Sequence, residues 1–321
     1  MSDKPVVLVT RKLPAAVEER LQRDYDARLN GSDRIYRSDE LIELAKGADA
    51  IVPCHTEKLN ADVIARLPDS IRAITSFSVG FDHIDLPAAK ARGIIVTNTP
   101  EVLSDATAEI AMLLLLGAAR RAYEGEQQIR SDSWSDWSAT YQLGLQVSGK
   151  RLGIVGMGRV GQIMARRARG FDMQIHYYNR SRLPPDLELG ARYHNAVESL
   201  LPHCDFLSIH CPATPETRHL LNAERIALLP DDAVVVNTAR GAVVDDDALI
   251  AALRSGKLFA AGLDVFNDEP RIHPGYRELK NTFLLPHIGS ATRETRDAMG
   301  FRALDNLDAI MAGREPRDRL V

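Results

Sequence analysis

Arg240, Glu269 and His287 are remote from one another in sequence, yet together they offer three groups suited to acid–base work on a carbonyl compound. An arginine presents a planar fork to a carboxylate, a histidine exchanges a proton near neutral pH, and a neighbouring carboxylate keeps that histidine protonated. Those are the needs of reducing a 2-keto acid. Taken singly, Arg240 reads as a surface ion pair, Glu269 as a solvated acid ahead of Pro270, and His287 as a structural imidazole. Their placement argues otherwise. Cys211-Pro212, Thr238-Ala239-Arg240, Asp264 and His287 each follow a predicted strand, and ligands of doubly wound sheets bind beyond the carboxyl ends of strands.

A second constellation is Gly156-Met157-Gly158-Arg159-Val160-Gly161, directly after the predicted strand Arg151–Val155 and opening the helical stretch from Gln162 to Arg169. In that setting the first glycine permits a tight turn, the second lets backbone approach a pyrophosphate, and the third allows close helix–strand packing. A dinucleotide is the ligand this predicts. The next strand runs into Asn179-Arg180-Ser181-Arg182, where an NAD site usually carries Asp or Glu for the ribose hydroxyls. The donors and positive charge there suit a 2'-phosphate, so NADPH is expected ahead of NADH; a solvated basic turn is the plainer reading.

The elements that must hold these residues alternate from the start. Strand-like runs at Val6–Thr10, Ala50–Cys54, Ile71–Ser76 and Ile94–Asn98 are separated by helix-period stretches at 15–24, 39–46 and 60–66. Thr99-Pro100 breaks the pattern before a long helix over about 104–121. Further strands are predicted at 151–155, 174–178, 191–193, 205–210, 233–237, 260–264 and 282–285, and then a last helix with Met299, Leu304, Leu307 and Ile310 on one face. The fold class is therefore α/β, with two doubly wound parallel-sheet domains and a cleft between them. The expected boundaries are 1–100 with 289–321 for a discontinuous substrate-binding domain and 101–288 for a dinucleotide-binding domain, with hinge closure about the crossings. Segment 122–148, with Trp134 and Trp137, reads as a surface loop or as an arm across a subunit interface.

The 321-residue length fits about two domains, and 45% hydrophobic with 26% charged residues excludes a disordered chain. A formal net charge of -4 gives no electrostatic footprint for nucleic acid or an anionic membrane. Cys54, Cys204 and Cys211 are too few and scattered for a disulfide framework, and no metal site is expected. The amino terminus lacks the features of a signal peptide, and the longest apolar run, Ile110 to Ala119, is far short of the ~20 residues of a membrane span. A cytoplasmic protein is expected.

Along nearly its whole length the chain resembles the D-isomer-specific 2-hydroxyacid dehydrogenase family, and within it the glyoxylate/hydroxypyruvate reductases. The resemblance rests on Ser78-Val79-Gly80-Phe81-Asp82-His83, Thr97-Asn98-Thr99-Pro100 with Ala106-Thr107-Ala108-Glu109, and the glycine-rich turn. It continues through His210-Cys211-Pro212, Asn237-Thr238-Ala239-Arg240-Gly241, Leu263-Asp264-Val265-Phe266 with Glu269-Pro270, and Pro286-His287-Ile288-Gly289-Ser290-Ala291-Thr292. It implies a flavodoxin-like substrate domain and a Rossmann cofactor domain. Arg240 would hold the substrate carboxylate and carbonyl, His287 would give the proton, and Glu269 would pair with His287. Amides of Val79 and Gly80 would complete the carboxylate site, with Ser290 and a partner subunit's counterpart of Trp137 beside the substrate. Asp264 would position the nicotinamide carboxamide and Thr107 would sit near the ring. The remaining cofactor contacts implied are Gly156 to Gly161, Asn179 to Arg182, Cys211, Pro212, Thr217, Thr238, Ala239, His287 and Gly289.

The resemblance thus implies an oxidoreductase that reduces glyoxylate and hydroxypyruvate to glycolate and D-glycerate with NADP(H), NAD(H) being usable, as a homodimer. The same scaffold also serves 2-ketogluconate and other D-2-hydroxy acids, while Glu269 fits keto-acid reduction better than formate oxidation, where the family places Gln. A non-enzymatic relative, in which the dinucleotide governs assembly of a transcriptional corepressor, can keep the same triad. Its long disordered tails are not seen in this composition.

Overall fold

The computed structural model describes residues 4–321, which form two units, residues up to Leu103 with Ser290–Val321 and Ser104–Gly289. In the first unit, β1 (Val6–Val9), β2 (Asp26–Arg28), β3 (Ala50–Val52), β4 (Ala73–Thr75) and β5 (Ile95–Thr97) make a parallel sheet in the order β2-β1-β3-β4-β5. β3 and β4 are buried along their whole length, and their apolar composition follows from cover on both faces. One face carries Leu8, Ile51, Ile74 and Val96 into a core with the helix Ala61–Arg66, while the other carries Val7, Val9, Ala50 and Val52. That second face is closed by the helix Arg293–Met311, whose Met299, Leu304, Leu307 and Ile310 lie in the same core as Val17 and Leu21. Arg20 pairs with Asp305 at 2.8 Å and Asp308 at 2.6 Å, and the Tyr25 hydroxyl donates to Asp308, so polar contacts fix where the returning helix sits.

The second unit holds β6 (Arg151–Val155), β7 (Gln174–Tyr178), β8 (Arg192–His194), β9 (Phe206–Ile209), β10 (Ala233–Asn237), β11 (Leu258–Leu263) and β12 (Thr282–Leu284). They form one parallel sheet in the order β12-β11-β10-β9-β6-β7-β8. Chain order reverses between β6 and β9, the place where a doubly wound sheet opens a crevice for a ligand. The helix Ser104–Ala119 is buried on nearly every side, with Ala108, Ala111, Leu114 and Leu115 in the core that Ile154, Val234 and Val236 also enter.

Three elements differ from the sequence reading. β2 and the helix Leu86–Ala91 are not evident from apolar patterning, because β2 is a largely exposed edge strand and the helix buries only Ala89. Its start is set instead by Asp85, whose side chain accepts the Ala88 N–H at 2.9 Å. The 122–148 segment is not wholly a loop: Ala122–Arg130 is helical, with no buried side chain to give it an apolar stripe.

Candidate active site

The glycine-rich turn begins where β6 ends. Gly156 has φ +91, and a Cβ there would stand 2.6 Å from the Cys211 amide nitrogen. A Cβ at Gly161 would meet the Gly156 carbonyl oxygen at 2.5 Å, whereas one at Gly158 would meet nothing within 4 Å. Packing therefore requires the first and third glycines and leaves open space at the second. Gly158 is the N-cap of the eleven-residue helix Arg159–Arg169 and has no side chain to satisfy its amides, so the helix terminus can receive an anion. The donor set and the open position fit a dinucleotide pyrophosphate.

The turn after β7 is tied to this one, since Asn179 Oδ1 accepts the Met157 N–H at 2.7 Å. Arg180 and Ser181 are exposed, while Arg182 is forked onto Glu188. Beyond β9, His210 bonds to Ser208 at 2.8 Å and to Thr238 at 3.3 Å, and burial pushes its imidazole down to about 4. Thr217 closes the following loop by donating to the Pro212 carbonyl at 2.7 Å. Burial raises the Cys211 thiol to about 11, which makes it an inert packing group.

Arg240 leaves β10 through a turn held by Asn237, which accepts the Ala239 N–H and donates to the Arg240 carbonyl, both at 2.9 Å. The next residue, Gly241, lies so close to the segment after β11 that a Cβ would be 2.0 Å from the Phe266 carbonyl carbon. That segment carries Glu269, whose Oε1 accepts the Phe266 N–H at 2.8 Å and whose Oε2 meets His287 Nδ1 at 2.6 Å. His287 has φ 54, uncommon for a non-glycine residue, and is held there by its own N–H to the Asp264 carbonyl at 2.9 Å. Asp264 also takes the N–H groups of Ile288 at 2.8 Å and Gly289 at 2.7 Å on its two carboxylate oxygens. Burial raises its carboxyl, and those two amides oppose the shift. The ends of β10, β11 and β12 thus bring Arg240, Asp264, Glu269 and His287 into one hydrogen-bonded and packed neighbourhood, with Thr107 beside Gly289.

In the first unit the loop after β4 carries Val79 and Gly80. Asn98 Nδ2 donates to the Val79 carbonyl at 2.8 Å, and the Ser78 hydroxyl donates to the Gly80 carbonyl at 2.7 Å. Because a peptide is planar and trans, holding those two carbonyls aims the following N–H groups, of Gly80 and Phe81, the opposite way. Behind them Ser76 bridges Ser78 at 2.7 Å and His83 at 3.2 Å. Asn98, Ser78 and Asn237 lie inside the motifs read from the sequence, but their work is on main-chain groups and nothing in their spacing announces it. Ser290 begins the segment that leads to Thr292, the N-cap of the Arg293–Met311 helix. Trp137 is 73% exposed, and its backbone N–H donates to Asp136 Oδ1 at 2.6 Å.

Residues 112–289 match the family model described as D-isomer specific 2-hydroxyacid dehydrogenase, NAD binding domain. The chain is 47% identical over 314 residues to a glycerate dehydrogenase of Hyphomicrobium methylovorum, covering 97% of this chain and 98% of that one. It is 42% identical over 318 residues to a glyoxylate reductase of Thermococcus litoralis, covering 98% and 96%. Among solved structures, an NADPH-dependent glyoxylate/hydroxypyruvate reductase from Sinorhizobium meliloti, in complex with NADP and malonate, superposes with a TM-score of 0.87 at 32% identity, covering 99% and 97%. With a dinucleotide turn at the switch point of one sheet and an Arg, Glu and His grouped beyond its strands, the chain belongs to the D-isomer specific 2-hydroxyacid dehydrogenases, a family of oxidoreductases.

Proposed function

We propose that this protein reduces small polar 2-keto acids, glyoxylate and hydroxypyruvate foremost, to glycolate and D-glycerate, and that it prefers NADPH to NADH. The observation that carries the reading is the 2.6 Å His287–Glu269 pair beside the Arg240 turn, at the strand ends of a dinucleotide-binding unit. The names of the relatives in Hyphomicrobium, Thermococcus and Sinorhizobium support the substrate class, and the Sinorhizobium enzyme supports the coenzyme.

A nicotinamide dinucleotide, when bound, supplies the hydride. The chain supplies orientation and a proton. His287 pairs with Glu269 through Nδ1, and Nε2 is the nitrogen that would donate to the oxygen of the reacting carbonyl. Glu269 is held by the Phe266 amide, so its free oxygen stays on the imidazole. Arg240 offers two parallel donors to the substrate carboxylate and fixes which face of the carbonyl is presented. The Val79 and Gly80 amides are the first unit's donors for a carboxylate, with Ser290 as a polar neighbour. Asp264 sets the backbone of His287 and Gly289, and Thr107 stands beside Gly289.

In this reading, residues 101–288 are the dinucleotide-binding domain, within a few residues of the unit Ser104–Gly289, and the other unit receives the acid. Gly156 to Gly161 take the pyrophosphate, and Asn179 to Arg182 take the adenosine ribose and its phosphate. Cys211, Pro212, Thr217, Thr238 and Ala239 line the same strand ends. The run Asn179–Arg182 contains no acid to repel a 2'-phosphate, which is the ground for preferring NADPH. Trp134, Trp137, Ile129 and Leu143 are exposed apolar side chains of one contiguous chain segment, and we assign them to a homodimer interface.

Initial rates with NADPH and NADH, each offered glyoxylate, hydroxypyruvate, pyruvate and 2-ketogluconate at matched concentrations, test the proposal. Fast NADPH oxidation with the first two supports it. Preference for 2-ketogluconate keeps the proton chemistry and replaces the substrate, and turnover equal or better with NADH removes the coenzyme preference.

A further inference from the structure

Two arginines stand two residues apart in the turn after β7, and their surroundings differ. Arg180 is exposed and forms no ion pair among the described residues; Glu216, of the loop after β9, feels its charge. Arg182 is committed. Its Nε donates to Glu188 Oε1 at 2.8 Å and its Nη2 to Oε2 at 3.0 Å, a two-pronged pair that fixes the plane of the guanidinium. Glu188 closes the short helix Pro185–Glu188 and is 5% exposed.

The network continues into the sheet. Tyr177, fully buried on β7, donates its hydroxyl to Glu188 Oε1 at 2.6 Å and accepts the Leu183 N–H at 3.0 Å. The Arg182 guanidinium lies 6.0 Å from the centre of the Tyr193 ring on β8. Arg169, at the end of the helix that begins at the glycine-rich turn, donates to the Glu188 carbonyl at 3.2 Å. A ring of bonds therefore runs from Tyr177 through Glu188 and Arg182 to Leu183 and back to Tyr177. Glu188 is buried while Arg182 keeps most of its side chain in solvent, so moving Arg182 toward a ligand would leave the Glu188 carboxylate with the Tyr177 hydroxyl as its side-chain partner. The Arg182–Glu188 pair is neutral as a unit, so of the two arginines only Arg180 forms no ion pair among the described residues.

We propose that Glu188 divides the labour of this turn: Arg182, clamped by Glu188 and Tyr177, positions the turn for the adenosine half of either coenzyme, and Arg180 with Ser181 alone reads the 2'-phosphate. The inference rests on the NADPH preference proposed above, and it narrows the cofactor contacts expected from the sequence by taking Arg182 out of the phosphate subsite. Arg182 and Glu188 are positioning residues in this account.

The test is steady-state kinetics on the full-length enzyme with both coenzymes at saturating keto acid, for wild type, Arg180→Gln, Arg182→Gln and Glu188→Gln. Arg180→Gln is expected to raise KM for NADPH about ten- to hundredfold, the scale of a lost charged hydrogen bond, with KM for NADH unchanged. Arg182→Gln and Glu188→Gln are expected to raise both coenzyme KM values by a common factor, leaving the NADPH-to-NADH selectivity within about twofold of wild type and kcat unchanged. Should either variant fail to fold, Tyr177→Phe, which removes one bond of the ring, reads the same ratio. A selective loss of NADPH in a clamp variant overturns the division of labour while the coenzyme preference stands, and unchanged KM values for both coenzymes in folded clamp variants overturn the clamp. A wild type that favours NADH instead defeats the coenzyme reading, and the parallel rise in KM for NADH then judges the clamp by itself.

Discussion

His287 is held on three sides: its ring by Glu269, its amide by the Asp264 carbonyl, and the two following amides by the Asp264 carboxylate. Removing the imidazole in His287→Ala should lower kcat by about 10²–10⁴, the range of general acid catalysis, while the dissociation constant for coenzyme stays near wild type in a fluorescence titration. Arg240→Lys keeps the charge but loses the fork, so keto-acid kcat/KM should fall while coenzyme affinity stays near wild type; unchanged keto-acid kinetics would remove Arg240 from the carboxylate role. Asn98→Ala frees the Val79 carbonyl and lets the Gly80 amide turn. A rise of about five- to tenfold in keto-acid KM, the worth of one hydrogen bond, is the expected outcome in substrate titrations. Arg240, Glu269, Asp264 and His287 are legible in the sequence because their side-chain chemistry is distinctive and each follows a strand. Asn98, Asn237 and Glu188 are not, because what they hold is main chain or a second side chain brought near only by folding.

The strands β7 and β8 carry His176 and His194, whose Nδ1 and Nε2 are 3.0 Å apart, and His203 stacks on His176 with ring centres 5.2 Å apart. Burial, then the neighbouring His194 and His203, and then Arg192 and Arg151, push His176 down to about 4, and burial with His203 and Arg192 lowers His194 as well. The unfolded chain binds these protons at higher pH than the folded one, so stability should climb as pH rises from about 4 to 6.5 and level off above it. Urea midpoints across that range check this, and His176→Phe should flatten the slope. On the other side of the sheet, a Cβ at Gly262 of β11 would meet the Leu114 carbonyl at 2.7 Å, so Gly262→Ala should cost about 1–3 kcal/mol in denaturant unfolding, as overpacked cores do. Most strands of the two sheets are readable as apolar runs since both faces are covered, whereas β2, the edge strand β8 and the helix Ala122–Arg130 bury too little to leave a pattern.

At the scale of the molecule, two fully parallel sheets put every strand's carboxyl end on one edge of its own sheet, and that is where the glycine-rich turn, Arg240, Glu269 and His287 collect. Binding energy at those edges is also folding energy. NADPH at a hundred times its dissociation constant should raise the stability of wild type by about 2.7 kcal/mol in a thermal melt, and Gly156→Ala should abolish that gain by displacing the turn. No helix among the described residues is long and apolar enough to cross a membrane. The two-unit α/β architecture is legible from the alternation of runs, while the hydrogen bonds that seat the last helix are not, because Arg20 and Asp308 belong to opposite ends of the chain. That seating has a consequence for biosynthesis. The Arg293–Met311 helix covers the face built by Val7, Val9, Ala50 and Val52, and residues 98–292, 195 in all, separate it from the last strand of that sheet. At roughly 5–20 residues per second a ribosome needs about 10–40 seconds to deliver it. For that interval the nascent first sheet has this face covered in part only, by the Val17 and Leu21 side of the helix Ala15–Asp24, and its apolar cover is completed when the Arg293–Met311 helix emerges from the exit tunnel.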